Sequence, residues 1–120
     1  MAYLKDYTTG RTMLTIDGDY IKDYTTGRSR YRINGDKVYD YTSGICIFDI
    51  SSGYVKDYKT GRNILSITND SIKDYRTGMT LASYDNTYIK DYRTGRCLYR
   101  IDGFLSRREI AALLAITFAI

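Results

Sequence analysis

The feature that most constrains this chain is a repeat of fixed length. Asp6, Asp23, Asp40, Asp57, Asp74 and Asp91 stand 17 residues apart, each followed by a tyrosine and, four positions after the Asp, by a glycine. Thr or Ser precedes every one of those glycines, so the unit Asp-Tyr-x-Thr/Ser-Gly occurs six times without an insertion or deletion. A unit this short cannot bury an apolar face by itself, so the copies must pack on one another.

Each unit carries the chemistry of two turns. In the first, Asp and Thr/Ser can bond nearby backbone N–H groups and Gly accepts positive φ. The second falls at Asp17-Gly18, Asn34-Gly35 and Asp102-Gly103, with looser versions at Ser51-Ser52, Thr68-Asn69 and Asp85-Asn86. Asp-Gly and Asn-Gly between alternating runs are strong hairpin signals. Two strands per unit follow. One runs through Arg11–Ile16 and its copies, with Leu14/Ile16, Tyr31/Ile33, Phe48/Ile50, Leu65/Ile67, Ala82/Tyr84 and Tyr99/Ile101 predicted to face inward. By the same two-residue period the small residues Thr12, Ser29, Cys46, Asn63, Thr80 and Cys97 share that face. The other strand carries Leu4, Ile21, Val38, Val55, Ile72 and Ile89.

The chain begins in one kind of strand and ends its repeats in the other, which leaves one unpaired partner at each end. Pairing them removes both exposed edges. The expected fold is therefore mainly β: six 17-residue antiparallel β-hairpin repeats, residues 1–103, closed into a ring or barrel. Residues 104–120 read as an apolar helix packed into the same domain. Ser106-Arg107-Arg108-Glu109 is a capping box, and Leu105 and Ile110 occupy the positions of a hydrophobic staple. Beyond Ile110 the helix is apolar on every side, which calls for burial on every side. A closed sheet of 12 strands is wider than the roughly 8 whose side chains alone fill the interior. A helix of about 13 residues, roughly 20 Å long, matches the height of strands of about 6 residues. Ile110–Ile120 is thus predicted to plug the centre; the alternative is an open sheet whose helix packs on a second subunit. Arg107 and Arg108 lie where the helix dipole disfavours positive charge, and Asp17, Asp19, Asp36, Asp70, Asp85 and Asp102 in the nearby turns are their expected partners.

Units reading Tyr-Ile-Lys-Asp-Tyr-x-Thr-Gly-Arg…Ile-Asp-Gly, ending in an apolar helix, resemble the small bacterial β-flower proteins. The resemblance covers nearly the whole chain and implies hairpins arranged radially around a helix. It brings no activity and no site residues. A second, weaker similarity is to the Tyr-Asp repeats of large secreted bacterial toxins.

Composition bears on function mainly by what it omits. The chain has no histidine, so neither a Cys-His nucleophile pair nor a histidine metal site is expected. The six repeated Asp residues are explained by turn capping and would lie too far apart around a ring to converge on a metal ion. Cys46 and Cys97 sit in units three apart, opposite one another in a six-fold ring, and are expected to be small packed residues rather than a disulfide. Two cysteines and an amino terminus without an apolar stretch suggest the cytoplasm. No window approaches the length of a membrane span. Neither an enzyme nor a cofactor is expected, and a monomer is favoured over a homo-oligomer.

The net charge of +4 and the 14 tyrosines leave a binding role open. Lys22, Lys56 and Lys90 precede the repeated Asp; Arg28, Arg62 and Arg96 follow the Gly; Lys59, Arg76 and Arg93 lie within the same turns. Together they suggest a basic, Tyr-rich rim for a polyanion such as nucleic acid or an acidic polysaccharide. The competing explanation is a solvated surface that serves solubility. In the third unit Tyr39 replaces the Lys and Ile45 the Arg, which suggests an apolar partner patch of Val38, Tyr39 and Ile45. The leading expectation is a non-catalytic module with a structural or partner-binding role, and polyanion binding is the alternative.

Overall fold

The computed structural model describes residues 2–51 and 53–119. Twelve strands follow in sequence: β1 (Ala2–Asp6), β2 (Thr12–Asp17), β3 (Tyr20–Asp23), β4 (Ser29–Asn34), β5 (Lys37–Asp40), β6 (Cys46–Ser51), β7 (Tyr54–Asp57), β8 (Asn63–Ile67), β9 (Ser71–Asp74), β10 (Thr80–Tyr84), β11 (Tyr88–Asp91) and β12 (Cys97–Asp102). The helix α1 (Arg107–Ala119) completes the chain. Each strand pairs antiparallel with its sequence neighbours, and β12 pairs with β1 to close the barrel. The seam repeats the pairing found within the chain. Tyr7 N–H donates to Leu98 O across it at 3.1 Å, as Tyr24 N–H donates to Met13 O at 3.1 Å one unit later.

The repeated turn is a closed network of local bonds. Gly N–H donates to the Asp carbonyl four residues back, at 2.8–2.9 Å in all six units. The Asp side chain accepts from the Thr or Ser three residues on, as in Asp74 with the Thr77 hydroxyl at 2.7 Å. That hydroxyl in turn accepts the backbone N–H two residues further, as in Met79 to Thr77 at 3.2 Å. Asp, Thr/Ser and Gly thus each have a fixed task, and Gly61 shows why the last cannot change cheaply, since it holds φ at +72°.

Across every such turn the ladder skips one residue. Leu4 pairs with Leu14 and Lys5 with Thr12, which leaves Met13 as a bulge; the same shift recurs in all six units. The bulge corrects the expected two-residue period. It also explains why Thr12 and its copies are only half-buried, while Leu14, Phe48, Leu65 and Ala82 are buried. The second turn is reached as expected at Asp17-Gly18 and Asn34-Gly35; Ser52 lies outside the described residues.

The wall turns a ring of aliphatic side chains inward: Leu4, Ile21, Val38, Val55, Ile72 and Ile89 are all at most 2% exposed. Inside them stands α1. Five consecutive helix residues, Ala112, Leu113, Leu114, Ala115 and Ile116, are buried. At 100° per residue they cover the full circumference, so the helix is surrounded rather than laid on a surface. The whole is a disc of 35 × 34 × 20 Å, and a 13-residue helix spans about its 20 Å thickness. Ile120, the last residue of the expected plug, lies outside the described residues.

The capping box forms as the sequence predicts: Ser106 N–H donates to Glu109 Oε1 at 2.8 Å and Glu109 N–H to Ser106 Oγ at 3.2 Å. Among the described residues, neither Arg107 nor Arg108 forms an ion pair with the expected carboxylates. Arg107 donates to the side-chain oxygen of Asn69, because the helix begins beside the turn that carries Asn69. Among the described residues the only ion pairs are Lys5–Asp102 at 3.3 Å and Lys22–Asp17 at 3.4 Å, equivalent pairs in adjoining units with the first lying across the seam.

Candidate binding surface

The disc has two rims and an outer wall, and the basic residues divide between them. Arg28, Lys59, Arg62, Arg76, Arg93 and Arg96 are exposed on the loops of the repeated turn, together with Tyr7, Tyr24, Tyr41, Tyr58, Tyr75 and Tyr92. Each of those loops also contributes its Asp, so positive charge on this rim is largely offset where it stands. The other rim carries Asp17, Asp19, Asp36, Asp70, Asp85 and Asp102 on the hairpin turns. The carboxyl of Asp85 is held below its ordinary range by the N–H groups of Tyr88 and Thr87. That of Asp40, on the opposite rim, is held low by the Ser43 hydroxyl and N–H.

Lys22, Lys56 and Lys90 do not belong to the rim where the sequence suggested they would gather. They lie in β3, β7 and β11, and their neighbours Ile21, Val55 and Ile89 are fully buried, so strand alternation turns the lysines to the outside of the wall. Lys22 reaches along that wall to Asp17, away from its own turn. The same alternation places Lys5, Arg32, Lys37, Lys73 and Arg100 outside. On the same face stand three carboxylates: Asp49, in register with both Lys37 and Lys56, and Asp17 and Asp102, which pair with Lys22 and Lys5.

Tyrosines are set between these cations in a regular way. Tyr3 meets Tyr24, Tyr20 meets Tyr41 and Tyr54 meets Tyr75 edge to face, with ring centroids 5.6–6.0 Å apart. Each pair joins a strand tyrosine of one unit to the loop tyrosine of the next. Tyr88 meets Tyr7 in the same way across the seam, at 6.1 Å. Where the strand position is Lys37 or Ser71, no such pair can form. The Arg32 guanidinium lies 5.2 Å from the centre of the Tyr39 ring. Such contacts hold the aromatic rings out from the wall and keep the cations beside them. This belt was not legible as such, because the repeat places loop and strand cations only a few residues apart.

The suggested partner patch does not survive as a unit. Val38 is fully buried in the core, since it is the third member of the aliphatic ring. Tyr39 is half-buried beneath Arg32, and only Ile45, at 63%, is widely exposed. Both cysteines are free thiols. Cys46 is half-buried with its pKa pushed up by burial, and it donates weakly to Phe48 O at 3.5 Å. No group of three or more metal-ligating side chains occurs among the described residues. Among them, no helix is long and apolar enough to cross a membrane. The wall carries its apolar side chains inside and its charges outside, the reverse of a membrane barrel.

No family model, curated protein or solved structure matches the chain.

Proposed function

We propose that this protein is a non-catalytic binding module whose working surface is the outer wall, and that its partner is a polyanion such as nucleic acid or an acidic polysaccharide. The observation that carries the reading is the belt itself. Eight lysines and arginines stand against three carboxylates, Asp17, Asp49 and Asp102, on a wall already studded with tyrosine rings. Cations supply affinity for phosphate or carboxylate groups through counterion release, and exposed tyrosine rings stack on bases or sugar faces. The plugged barrel supports such a role as a rigid frame, because α1 and the aliphatic ring leave the wall little freedom to deform. The resemblance to bacterial β-flower proteins adds an architecture and no activity. A cytoplasmic setting belongs to the same proposal and draws support from the two free thiols.

The test compares two triple variants of equal charge change in a filter-binding assay with single-stranded DNA and with heparin at two salt concentrations. Lys22→Glu, Lys56→Glu and Lys90→Glu alter the wall; Lys59→Glu, Arg76→Glu and Arg93→Glu alter the rim. The wall variant is expected to lose most of the binding and to flatten its salt dependence, while the rim variant loses little. Equal losses would refute the belt and restore the rim. Salt-insensitive or absent binding of the native chain to both probes would refute polyanion binding altogether.

A further inference from the structure

One inward layer of the barrel departs from its apolar character on one side only. The third residue of β2, β4, β6, β8, β10 and β12 forms an inward layer, which reads Leu14, Tyr31, Phe48, Leu65, Ala82 and Tyr99 around the ring. Only two of the six carry a hydroxyl, and these two, Tyr31 and Tyr99, flank Leu14. From Ile110 to Ala119 the helix has one polar residue, Thr117, and it faces the same side. All three line one crevice of about 630 Å³ between the helix end and the wall, within the size range of small-molecule sites. The helix packs closest to β6 and β8, across the barrel from this space.

The lining has a definite chemistry. Leu4, Leu14 and Ile116 supply an apolar surface beneath the tyrosines. Asp6, Asp23 and Arg30 on the strands and Arg11 in the first loop also line it, so two carboxylates balance two guanidinium groups. Asp6 uses Oδ2 to accept from the Thr9 hydroxyl at 2.7 Å, which leaves Oδ1 outside that pairing. The Thr117 hydroxyl donates to Leu113 O at 2.8 Å and retains acceptor capacity. The Arg30 guanidinium lies 5.7 Å from the centre of the Tyr31 ring, at the edge of the space.

We propose that this crevice binds a small neutral saccharide, a mono- or disaccharide, between Tyr31, Tyr99 and Thr117. A purely apolar ligand would strand the hydroxyl and charged groups without partners. An anion would meet Asp6 and Asp23, and a cation Arg11 and Arg30. A sugar ring offers both donors and acceptors around its edge, for carboxylate and guanidinium alike, and a C–H face for the leucine and tyrosine surfaces. The site is separate from the outer belt and does not depend on it.

The experiment is an NMR titration of the full chain with glucose, galactose, N-acetylglucosamine and maltose, with leucine and glucuronate as zwitterionic and anionic comparators. The expected result is saturable shifts at the amides of Thr9, Leu14, Thr25 and Thr117 with at least one neutral sugar, and weaker or no shifts with the comparators. The double variant Tyr31→Phe/Tyr99→Phe, which retains both rings, is expected to weaken that sugar by about tenfold as two hydrogen bonds are lost. Thr117→Val gives an independent check on the helix side, with a smaller loss in the same direction. The proposal is overturned if no panel sugar moves these amides at tens of millimolar. It is also overturned if leucine or glucuronate binds there more tightly, or if the sugar shifts map to the outer wall.

Discussion

The enclosure of α1 by the barrel can be tested through two adjacent leucines. Leu113 and Leu114 point 100° apart around the helix, yet both are 0% exposed. With Ala112, Ala115 and Ile116 they span the whole circumference, part of which a helix lying against a surface would expose. Inside a ring, truncating either must leave a cavity in a closed space with no route for collapse. Leu113→Ala and Leu114→Ala are each expected to cost about 3–5 kcal/mol, toward the upper part of the range for buried leucines. For a chain of 120 residues the entropy of unfolding is about 0.25 kcal/mol per kelvin, so each kcal/mol lowers Tm by roughly 4 °C. Each variant should therefore melt about 12–20 °C below the native protein. Phe104→Ala, at a side chain 87% exposed, should move Tm by no more than a degree or two. The assay is thermal denaturation followed by circular dichroism, with urea titration as a second measure. If either leucine costs less than about 1 kcal/mol, a value seen for surface sites, the enclosed helix is wrong.

Four further outcomes follow from particular contacts. Deleting residues 1–6 removes β1 and exposes the edges of β2 and β12, so light scattering should show association or aggregation instead of the native species. Gly61→Ala should destabilise by about 1–2 kcal/mol from positive φ alone, since nothing lies near its new Cβ. Gly53→Ala should cost more, because its Cβ would also come 3.0 Å from Ile67 O; urea unfolding of both variants checks the order. Arg108→Glu should stabilise by about 0.3–1 kcal/mol, because it puts negative charge in the first turn of α1, and the Tm gain should shrink in high salt. Asp85 has a folded pKa below its ordinary 3.8, so it binds its proton less readily when folded. Its contribution is present above that value and lost as pH falls through the folded one. Asp85→Asn should accordingly be less stable than native near neutrality, with the gap closing in acid.

How much of this was readable in advance depends on the residue. The Asp, Thr/Ser and Gly of each repeat specify a turn by their own local chemistry, and their spacing is the same wherever they stand in the fold. Inward-facing Leu14, Phe48 and Leu65 followed from alternation for the same reason, whereas Val38, read as part of an exposed patch, was placed on the wrong side. Sequence neighbours determine such features, so one chain of letters sufficed to predict them. The bulges at Met13 and its copies were missed, because a bulge arises from how two strands align and leaves no mark in the composition of one. The separation of Lys22 from Arg28 onto wall and rim depends on that same alignment.

The repeat length, the turns, the apolar helix and its capping box were all set by the sequence, since each rests on contacts within a few residues. Tertiary structure decided the rest. It set which cations share a surface, paired Tyr88 with Tyr7 across the seam and gave Arg107 to Asn69 in place of an aspartate. It also gathered Tyr31, Tyr99 and Thr117 around one crevice. Those residues are far apart in the chain, and closure of the barrel around an off-centre helix is what brings them together.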